Sequence, residues 1–468
     1  MNNHYDLIIL GGGASAFAAA IKANELKKKT IVINSGLPAG GTCVNVGCVP
    51  SKLLLHAGEV LHMAKNHGVS GIELEVKSFD FNKVIEDELK IVEGFRNEKY
   101  EKVLANLEHV TYMEGKAQFS GEKEIEVNGE KISADKFIIA TGSTANVPPI
   151  EGIKEVGYVT HIEALKLKEQ PKEMAIIGAG PVGLEFAQMY ARFGTKVTIL
   201  QSRERIFPHG EVELITRLAE LLEKEGVTIK TNVEVKSARS ENGKKVLSYT
   251  VNGETEEVSV DEILLAAGKT ANTDELHLEL PGVEVTDRKA VKVNEKFETN
   301  VPYIYSVGDV TNLPLRLETT AGHEGTLVAE NALDEKENSI DYSTVPYAIF
   351  TDPGYASVGL TEDAQMERDG VCACRTVPFE VIPKAGIIRR TEGLIKMGVD
   401  PKTQVIVGVH ILAPNAADLI AEAMVLIKNK NTIDDVLNSE PVFPTMSEAI
   451  KYATLSFNKD LSQLSCCI

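Results

Sequence analysis

Positive charge, long hydrophobic runs and cysteine are all scarce in this chain. Only 49 basic residues stand against 68 acidic ones, and the net charge of −19 argues against non-specific binding of nucleic acid. The apolar run Leu7–Leu10 is too short for a signal peptide or a membrane span, so we expect a cytoplasmic protein with no membrane partner. Structural disulfides are uncommon in that compartment, so pairs among the six cysteines indicate redox or metal chemistry.

A weak internal repeat indicates how two domains of this chain begin. The length of 468 residues predicts about three domains in all. The segments "YDLIILGGGASAFAAA" from Tyr5 and "EMAIIGAGPVGLEFA" from Glu173 each join an apolar strand to a glycine turn and a helix of small residues. A second strand follows each, Thr30–Asn34 and Lys196–Leu200, as in nucleotide-binding βαβ units. We therefore predict an α/β fold with two Rossmann-like dinucleotide-binding domains.

Other elements follow from apolar runs and from the residues that interrupt them. We predict a long helix over about Phe81–Leu107 and buried strands in "DKFIIATGS", "DEILLAAGK" and "YIYSVGDV", each leading to a glycine. The prolines of "NVPPIEG" mark a linker at Asn146–Gly152. After about Asp341, strand-like "VIVGVHIL" alternates with helical "AADLIAEAMVLIKN", which indicates a separate C-terminal α+β domain.

Both glycine turns have the spacing of dinucleotide sites. The first glycine of such a motif makes the tight turn, and the second lets the backbone approach a pyrophosphate at a helix N-terminus. Two motifs predict two dinucleotides, one of them a tightly bound flavin. The motifs are G-x-G-x-x-A at Gly11, Gly13 and Ala16 and G-x-G-x-x-G at Gly178, Gly180 and Gly183.

The residues after the second strand of each unit bear on the choice of nucleotide. Asn34 stands where a ribose-binding acid is expected, and its amide can also hydrogen-bond a hydroxyl. In the second unit a neutral Gln201 replaces the acid, with Arg203 and Arg205 close behind. Arginine there suits a 2′-phosphate, so we expect NADPH rather than NADH. The alternative is that both arginines are solvated surface residues.

The segment "GGTCVNVGCVPSK" places Cys43 and Cys48 on a glycine-rich turn. A helix beginning near Thr42 would bring the two thiols close and lower the pKa of one through its N-terminal dipole. From the residues alone, a zinc half-site and two buried cysteines remain alternatives, although no second Cys-x-x-Cys or histidine pair accompanies them.

With its flanking residues, this segment resembles the redox-active disulfide of the FAD-dependent pyridine nucleotide–disulfide oxidoreductases. The resemblance covers essentially the whole chain in order, including "ATGS" at Ala140–Ser143 and "SVGD" at Ser306–Asp309. It implies a homodimer and four parts: 1–150 and 276–342 for FAD, 151–275 for NAD(P), and 343–468 for dimerisation with a cysteine tail. It also implies direct contact with the two cofactors for Gly11, Gly13, Ser15, Ala16, Gly41, Thr42, Lys52, Ala117, Thr141, Gly142, Ser143, Gly178, Gly180, Gly183, Gln201, Arg203, Gly268, Gly308 and Asp309.

The same resemblance implies catalytic roles. Cys43 corresponds to the thiol that exchanges with substrate, and Cys48 to the thiol beside the flavin. Lys52 and Glu185 correspond to an ion pair near the flavin, and Asp309 to the carboxylate that binds the ribitol. The protein's task is to position these groups around the cofactor, which carries the redox chemistry.

One departure from the disulfide reductases of this family concerns the acid–base residue. Those enzymes end near His-Pro-x-x-x-Glu, whereas this chain has Phe443-Pro444-Thr445-Met446-Ser447-Glu448. In those enzymes the histidine protonates the leaving thiolate. Such general acid catalysis typically raises the rate roughly 10²- to 10⁴-fold. A disulfide reductase without it would be severely impaired.

The chain ends in "SQLSCCI", with Cys466 and Cys467 adjacent; we call them the tail pair. The branch of the family that reduces Hg(II) likewise lacks the histidine and ends in two cysteines. Thiolates select soft metals, and such a tail can pass Hg(II) from thiol complexes to Cys43 and Cys48 by ligand exchange. We therefore expect Cys43, Cys48 and the tail pair to be metal ligands, although a frayed tail with incidental cysteines is the alternative.

The sequence supports three further expectations, on an N-terminal domain, on a second cysteine pair and on competing functions. The chain begins at the flavin motif, so the N-terminal metal-binding domain of some relatives is not expected. Cys372 and Cys374 in "VCACR", which we call the strand pair, could bind metal, but alternation favours a strand with both buried on one face. Competing functions are a disulfide reductase that uses the tail pair as a relay and a flavoprotein that only sequesters metal.

Overall fold

The computed structural model describes residues 4–465 as a mixed α/β chain in which strands and helices alternate for most of its length. The strands are β1 (His4–Leu10), β2 (Thr30–Asn34), β3 (Val110–Glu114), β4 (Ala117–Gly121), β5 (Glu124–Val127), β6 (Glu130–Ile139), β7 (Ser143–Ala145), β8 (Glu173–Ile177), β9 (Lys196–Leu200), β10 (Thr228–Lys230), β11 (Glu234–Glu241), β12 (Lys244–Val251), β13 (Glu254–Val260), β14 (Glu262–Leu265), β15 (Lys269–Ala271), β16 (Ile304–Ser306), β17 (Tyr347–Ile349), β18 (Gly354–Gly359), β19 (Ala373–Pro378), β20 (Leu394–Val399) and β21 (Ile406–Ala413).

The helices lie between these strands and in the C-terminal part of the chain. They are α1 (Ala14–Glu25), α2 (Gly41–Val46), α3 (Cys48–Asn66), α4 (Phe81–Arg96), α5 (Lys102–Ala105), α6 (Ile153–Val156), α7 (His161–Ala164), α8 (Pro181–Phe193), α9 (Val212–Lys224), α10 (Glu318–Asp334), α11 (Glu362–Asp369), α12 (Pro383–Ile388), α13 (Ala416–Lys428), α14 (Ile433–Leu437) and α15 (Glu448–Leu455). Within residues 4–465, none of them has the length and apolar character needed to cross a membrane.

The first sheet has the strand order β3-β2-β1-β6-β5-β4, with β16 paired in parallel to β6. Parallel strands β1 and β2 are buried on both faces, so alternate residues enter two different cores. Ile8 packs on one side of the sheet, whereas Leu7 packs on the other, against α1 and α10. Because β16 returns to this sheet after a long excursion, the segment between β6 and β16 is inserted into the first unit.

That inserted segment carries the second parallel sheet, in the order β10-β9-β8-β14. The amphipathic helices α8 and α9 bury their apolar faces against it in one large core. An antiparallel sheet, β11-β12-β13, covers the other face through a smaller core. The second unit therefore repeats the strand–turn–helix arrangement of the first.

The C-terminal unit is a five-stranded antiparallel sheet in the order β17-β18-β21-β20-β19. Helices α13, α14 and α15 pack on it and form a third core with side chains such as Ile411 and Ile420. Strand β19 lies at the margin of this sheet, with β20 on one side only.

A buried cluster of charges joins the second unit to this C-terminal sheet. The Lys396 Nζ on β20 lies 3.1 Å from the Glu211 Oε2 before α9 and also contacts the carboxylate of Glu362 on α11. The Lys396 side chain is 4% exposed and that of Glu211 is 3% exposed. The ring of His410 on β21 lies 3.6 Å from Glu211. Opposite charges from separate elements therefore neutralise one another inside the protein.

The predicted strands Thr30–Asn34 and Lys196–Leu200 and the α/β fold class are confirmed. The predicted helix Phe81–Leu107 is wrong in detail. Its α-helical part ends at Arg96, and five residues of wider π-helical turn, Asn97–Glu101, precede the short helix α5. The apolar spacing that supports α4 does not continue into that charged segment.

Candidate redox site

The first glycine turn joins β1 to α1 with no room for side chains on its inner face. Gly11 has φ +128°, and a Cβ there would lie 2.2 Å from the Ala140 carbonyl oxygen. Gly13 faces the other way, since a Cβ on it would meet no atom within 4 Å. Ser15 and Ala16 are buried in the first turn of α1, where α10 comes so close that a Cβ on Gly325 would lie 2.1 Å from the Ser15 carbonyl oxygen.

The second glycine turn has the same construction. Gly178 has φ +107° and would place a Cβ 2.4 Å from the Ala266 carbonyl oxygen, whereas Gly180 faces open space. Gly183 packs against Gly178, which draws α8 onto the strand. In both turns one bare glycine leaves room in front of a helix N-terminus, where a pyrophosphate fits. The residues present therefore fit two dinucleotides.

Two further loops carry predicted cofactor contacts. Thr141, Gly142 and Ser143 follow β6, and Ser143 Oγ donates a 2.7 Å hydrogen bond to Asp309 Oδ2. The backbone N–H of Gly308 donates to Glu324 Oε2 at 2.7 Å, and Glu324 is fully buried. This carboxylate fixes the turn that presents Asp309. Glu324 stands in no sequence motif, and its role is visible only once α10 is folded against β16.

The cysteine segment is built from two helices rather than the one predicted. Cys43 lies in the first turn of α2, Gly47 interrupts the helix, and Cys48 is the first residue of the 19-residue helix α3. A Cβ on Gly47 would lie 3.2 Å from the Cys43 Cα, so glycine is what permits this close approach. Both thiols are free in the structure, and their interaction raises the pKa of Cys43 and lowers that of Cys48.

The electrostatics of the two thiols differ. The hydrogen bond from Cys43, followed by the charge of Lys52, lowers the pKa of Cys48 to about 7 against the opposing effect of burial. The N-terminus of α3 favours the same thiolate. The pKa of Cys43 is raised by that hydrogen bond, by burial and by the negative charge of Glu318. Cys48 therefore holds the negative charge and Cys43 the proton.

Lys52 lies one turn after Cys48 on the same face of α3. Its Nζ lies 2.7 Å from Glu185 Oε2 on α8 and 4.4 Å from the centre of the Phe350 ring. The second oxygen of Glu185 accepts a 3.0 Å hydrogen bond from the Phe350 backbone N–H. The ion pair predicted from the sequence is thus present and links all three units.

One cavity of about 780 Å³ brings ten of the predicted site residues together. We call Cys43 and Cys48, which line it, the cavity pair. The predicted residues that lie outside its lining are Gly11, Ala16, Gly41, Ala117, Thr141, Gly178, Gly180, Gly183, Gln201, Arg203, Gly268 and Gly308. Other predicted residues on its wall are Gly13, Ser15, Thr42, Lys52, Gly142, Ser143, Glu185 and Asp309.

The end of β9 has an arrangement that sequence alone did not predict. Gln201 is buried, and its side-chain amide donates to the Arg205 carbonyl oxygen at 3.1 Å, so it holds the loop rather than facing a ligand. Arg205 donates to the Pro208 carbonyl oxygen at 3.1 Å. Arg203 is exposed, and within residues 4–465 its guanidinium has no ion-pair partner. Arg203 is therefore the arginine that remains available to an anion.

Two acid–base groups in the cavity were missed by the sequence analysis. His161, at the start of α7, is buried, and its Nε2 has no hydrogen-bond partner among the described residues. Burial, with the charge of nearby Lys269, lowers the pKa of His161 to about 4. Glu318, at the start of α10, bonds to Cys43, and burial raises the pKa of Glu318. No local motif surrounds either residue, so their convergence was visible only in the fold.

The remaining cysteine predictions have mixed outcomes. The tail pair lies outside the described residues. For the strand pair, the prediction that both cysteines are buried is wrong, because Cys372 and Cys374 are half-buried; they are also joined in a disulfide. They lie at the margin of the C-terminal sheet, where β19 pairs with β20 alone among the described strands. Phe443 is 51% exposed and does not line the cavity.

Comparisons with known proteins agree with this architecture. Residues 5–335 match the pyridine nucleotide-disulphide oxidoreductase family, and residues 345–454 match its dimerisation domain. Mercuric reductase from Staphylococcus aureus is 38% identical over 464 residues, covering 99% of this chain and 84% of that protein. Dihydrolipoyl dehydrogenase from Thermus scotoductus is 36% identical over 467 residues, covering 97% of this chain and 98% of that protein.

Solved structures give the same result. The Cu(II) complex of the HOCl-induced flavoprotein disulfide reductase RclA from Escherichia coli matches with a TM-score of 0.87 and 28% identity, covering 98% of this chain and all of that one. The family implies FAD and a pyridine nucleotide, which agrees with the two glycine cradles. This chain is a member of the pyridine nucleotide–disulphide oxidoreductase family, with its dimerisation domain in place.

Proposed function

We propose that this enzyme reduces Hg(II), supplied as a thiol complex, to Hg(0) with electrons from NADPH. The observation that carries the proposal is the chemistry around the cavity pair. The charged side chains that shift the pKa values of these thiols are Lys52, Glu318 and Glu185, and His161, the histidine that lines the same cavity, is not among them. Phe443 occupies the sequence position of the acid–base histidine. Soft-metal exchange between thiolates needs no such histidine, and the similarity to mercuric reductases supports the same substrate.

The cavity pair has the properties that the metal step requires. Cys48, ionised near neutral pH, supplies one sulfur ligand, and Cys43 supplies the second after giving up its proton. Each thiolate that binds Hg(II) displaces one external thiol, so the metal is never released during the exchange. FAD, when bound, passes an electron pair from the nicotinamide towards this cavity. The balance is Hg(SR)₂ + NADPH + H⁺ → Hg(0) + 2 RSH + NADP⁺.

Preference for NADPH over NADH is part of the proposal and rests on Arg203. This exposed guanidinium follows β9, where the 2′-phosphate of NADPH would lie beside the second glycine turn. Arg203→Ala should lower kcat/KM for NADPH by about tenfold or more, the loss typical of one charged hydrogen bond. NADH provides the matched control, because its kcat/KM should not change. Equal losses of kcat/KM with both nucleotides would show that Arg203 does not distinguish NADPH from NADH.

We further propose that the tail pair delivers Hg(II) and that the enzyme is a cytoplasmic homodimer. Exposed apolar side chains on the C-terminal unit support the dimer, among them Ile387 at 61% and Val442 at 75% exposure. The dimerisation-domain match supports it independently. The division at residues 150, 275 and 342 belongs to this proposal.

A second candidate, disulfide reduction, is favoured by Glu318. Its carboxyl interacts with Cys43 and has a raised pKa, so it can donate a proton to a leaving thiolate. The similarity to the disulfide reductase RclA points the same way.

Anaerobic NADPH oxidation by the purified protein separates the two candidates. Hg(II) with excess thiol is compared with glutathione disulfide and with lipoamide, and Hg(0) vapour is collected. Fast turnover with Hg(II) and little with the disulfides would support the proposal. Fast turnover with a disulfide, and no Hg(0), would establish the second candidate instead.

A further inference from the structure

The disulfide of the strand pair does not link two separate elements of the fold. Cys372 immediately precedes β19, and Cys374 is the second residue of that strand, opposite Gly398 on β20. Their Sγ atoms are bonded, and only one residue separates them in sequence. Both ends of the bond therefore lie on one segment, and it connects no two elements of the structure.

Such a short ring contributes little to stability. In the chain-entropy account, a disulfide stabilises a protein by removing freedom from the unfolded chain, and the effect grows with the length of the closed loop. The loop here contains a single intervening residue, Ala373. A stabilising role therefore does not account for this bond.

The surroundings leave the bond open to small reagents. Cys372 and Cys374 are both partly exposed, because β19 is the marginal strand of its sheet. Gly398 lies next to Cys374. A Cβ added to Gly398 would lie 3.5 Å from the Cys374 sulfur. The Gln365 Oε1 lies 3.5 Å from the Cys374 sulfur. Among the described strands none pairs with the outer side of β19, so the partly exposed sulfurs are accessible to a small thiolate.

The chemistry of the reduced pair is also limited by its neighbours. Within residues 4–465 no group of three or more His, Cys, Asp or Glu side chains is arranged to hold a metal ion. A tetrahedral zinc site, which needs four such ligands, is therefore not formed here from the described residues. What remains is a dithiol that can form and break one disulfide.

We propose that Cys372 and Cys374 form a second redox-active centre, which exchanges electrons with low-molecular-weight thiols and disulfides at the outer margin of the dimerisation domain. An external thiolate attacks one sulfur, forming a mixed disulfide and releasing the other cysteine as a thiolate. A second external thiol then attacks the mixed disulfide at the external sulfur. The sum is protein-S₂ + 2 RSH → protein-(SH)₂ + RSSR, and the reverse reaction reoxidises the pair. This centre does not depend on the metal chemistry proposed for the cavity.

The sequence permits a clean test, because trypsin releases each cysteine pair on its own peptide. The strand pair falls on residues 369–375 ("DGVCACR"), the cavity pair on residues 30–52 and the tail pair on residues 460–468. The full-length holoenzyme is equilibrated in native buffer over a series of GSH and GSSG concentrations. It is then quenched in acid, alkylated before and after reduction with two isotopic forms of N-ethylmaleimide, and quantified peptide by peptide.

The 369–375 peptide should pass reversibly from mostly oxidised to mostly reduced as [GSSG]/[GSH]² falls by about a hundredfold, as a two-electron couple requires. Cys374→Ser should trap the half-reaction, so that Cys372 carries one glutathione. Cys43→Ser/Cys48→Ser should leave the titration of the 369–375 peptide unchanged. The proposal is overturned if the pair stays oxidised in excess dithiothreitol or stays reduced at every ratio. It is also overturned if Cys372 forms no adduct in Cys374→Ser, or if the titration disappears in the cavity variant.

Discussion

Cys43 and Cys48 lie on two helices whose ends meet in a cavity, whereas Cys372 and Cys374 lie on one strand at the margin of a sheet. The cavity pair has a helix N-terminus and Lys52 beside it, and the pKa of Cys48 falls to about 7. The strand pair has neither feature and is already joined in a disulfide. The difference shows that proximity of two sulfurs does not decide their chemistry. The charges around them determine which pair holds a thiolate ready to react.

The largest contrast should come from removing each pair in turn. Cys48→Ser should lower Hg(0) production by at least about a hundredfold, since groups that act as one unit lose most of their effect together. Cys372→Ser/Cys374→Ser should stay within about twofold of the parent, because it lies away from the cavity. Hg(0) volatilisation measures both, and NADPH oxidation with ferricyanide checks that the variants still accept electrons. Comparable losses of Hg(0) production in the two variants would show that the two cysteine pairs do not differ in this function.

The tail pair should matter in proportion to how tightly Hg(II) is already held. Cys466→Ala/Cys467→Ala should lose about tenfold or more in turnover when excess glutathione binds the metal, because a tethered dithiol raises the local thiol concentration. With halide as the ligand the loss should be smaller. Volatilisation assays across a thiol series compare the two, with Cys372→Ser/Cys374→Ser as the matched double variant. Equal loss at every ligand strength would contradict a delivery role.

Lys52 should account for part of the difference in thiol ionisation. Cys48 in the reduced parent protein should be alkylated with a half-maximum near pH 7, since its pKa is about 7 and only the thiolate reacts. Lys52→Met removes the positive charge, so the pKa should rise and the alkylation rate at pH 7 should fall by about fivefold. Peptide-resolved iodoacetamide kinetics between pH 5 and 9 — about the range of interest for a thiol — measure both effects.

Lys65 provides the control for that measurement. It lies in the last turn of the same helix, about 25 Å from Cys48 at 1.5 Å per residue. Lys65→Met should therefore leave the alkylation profile unchanged, because salt screens charges beyond about 10 Å. A shift in this control equal to that of Lys52→Met would show that general charge, not the local contact, sets the pKa.

The smallest expected effect concerns stability. Cys372→Ser/Cys374→Ser should lower the free energy of unfolding by no more than about 1.5 kcal/mol, since the closed loop is so short. Urea unfolding of the variant and of the parent protein in dithiothreitol should give the same change. A loss of several kcal/mol would mean that the disulfide of the strand pair stabilises the sheet, as a structural disulfide does.

Much of this architecture could be predicted because apolar runs and glycine turns act locally. The strands around Gly11 and Gly178, and the sequence order of the motifs, required no tertiary information. The break at Gly47 was not predicted, because the helical spacing of apolar residues continues on both sides of it. Glu318 and His161 reach the cavity from distant segments, so only the folded chain reveals them. The strand pair was predicted to be buried, because strand alternation does not reveal which strand is marginal.

The charge cluster at Lys396 has a consequence for how this enzyme can be recombined. The lysine belongs to the C-terminal sheet, while its partner Glu211 belongs to the second unit. A chimera that took its dimerisation domain from a relative lacking the lysine would leave Glu211 buried without a counter-charge. Breaking such a buried pair typically costs about 3–5 kcal/mol. Domain exchange in this chain is therefore constrained at the seam between these two units, which must be transplanted together or redesigned there.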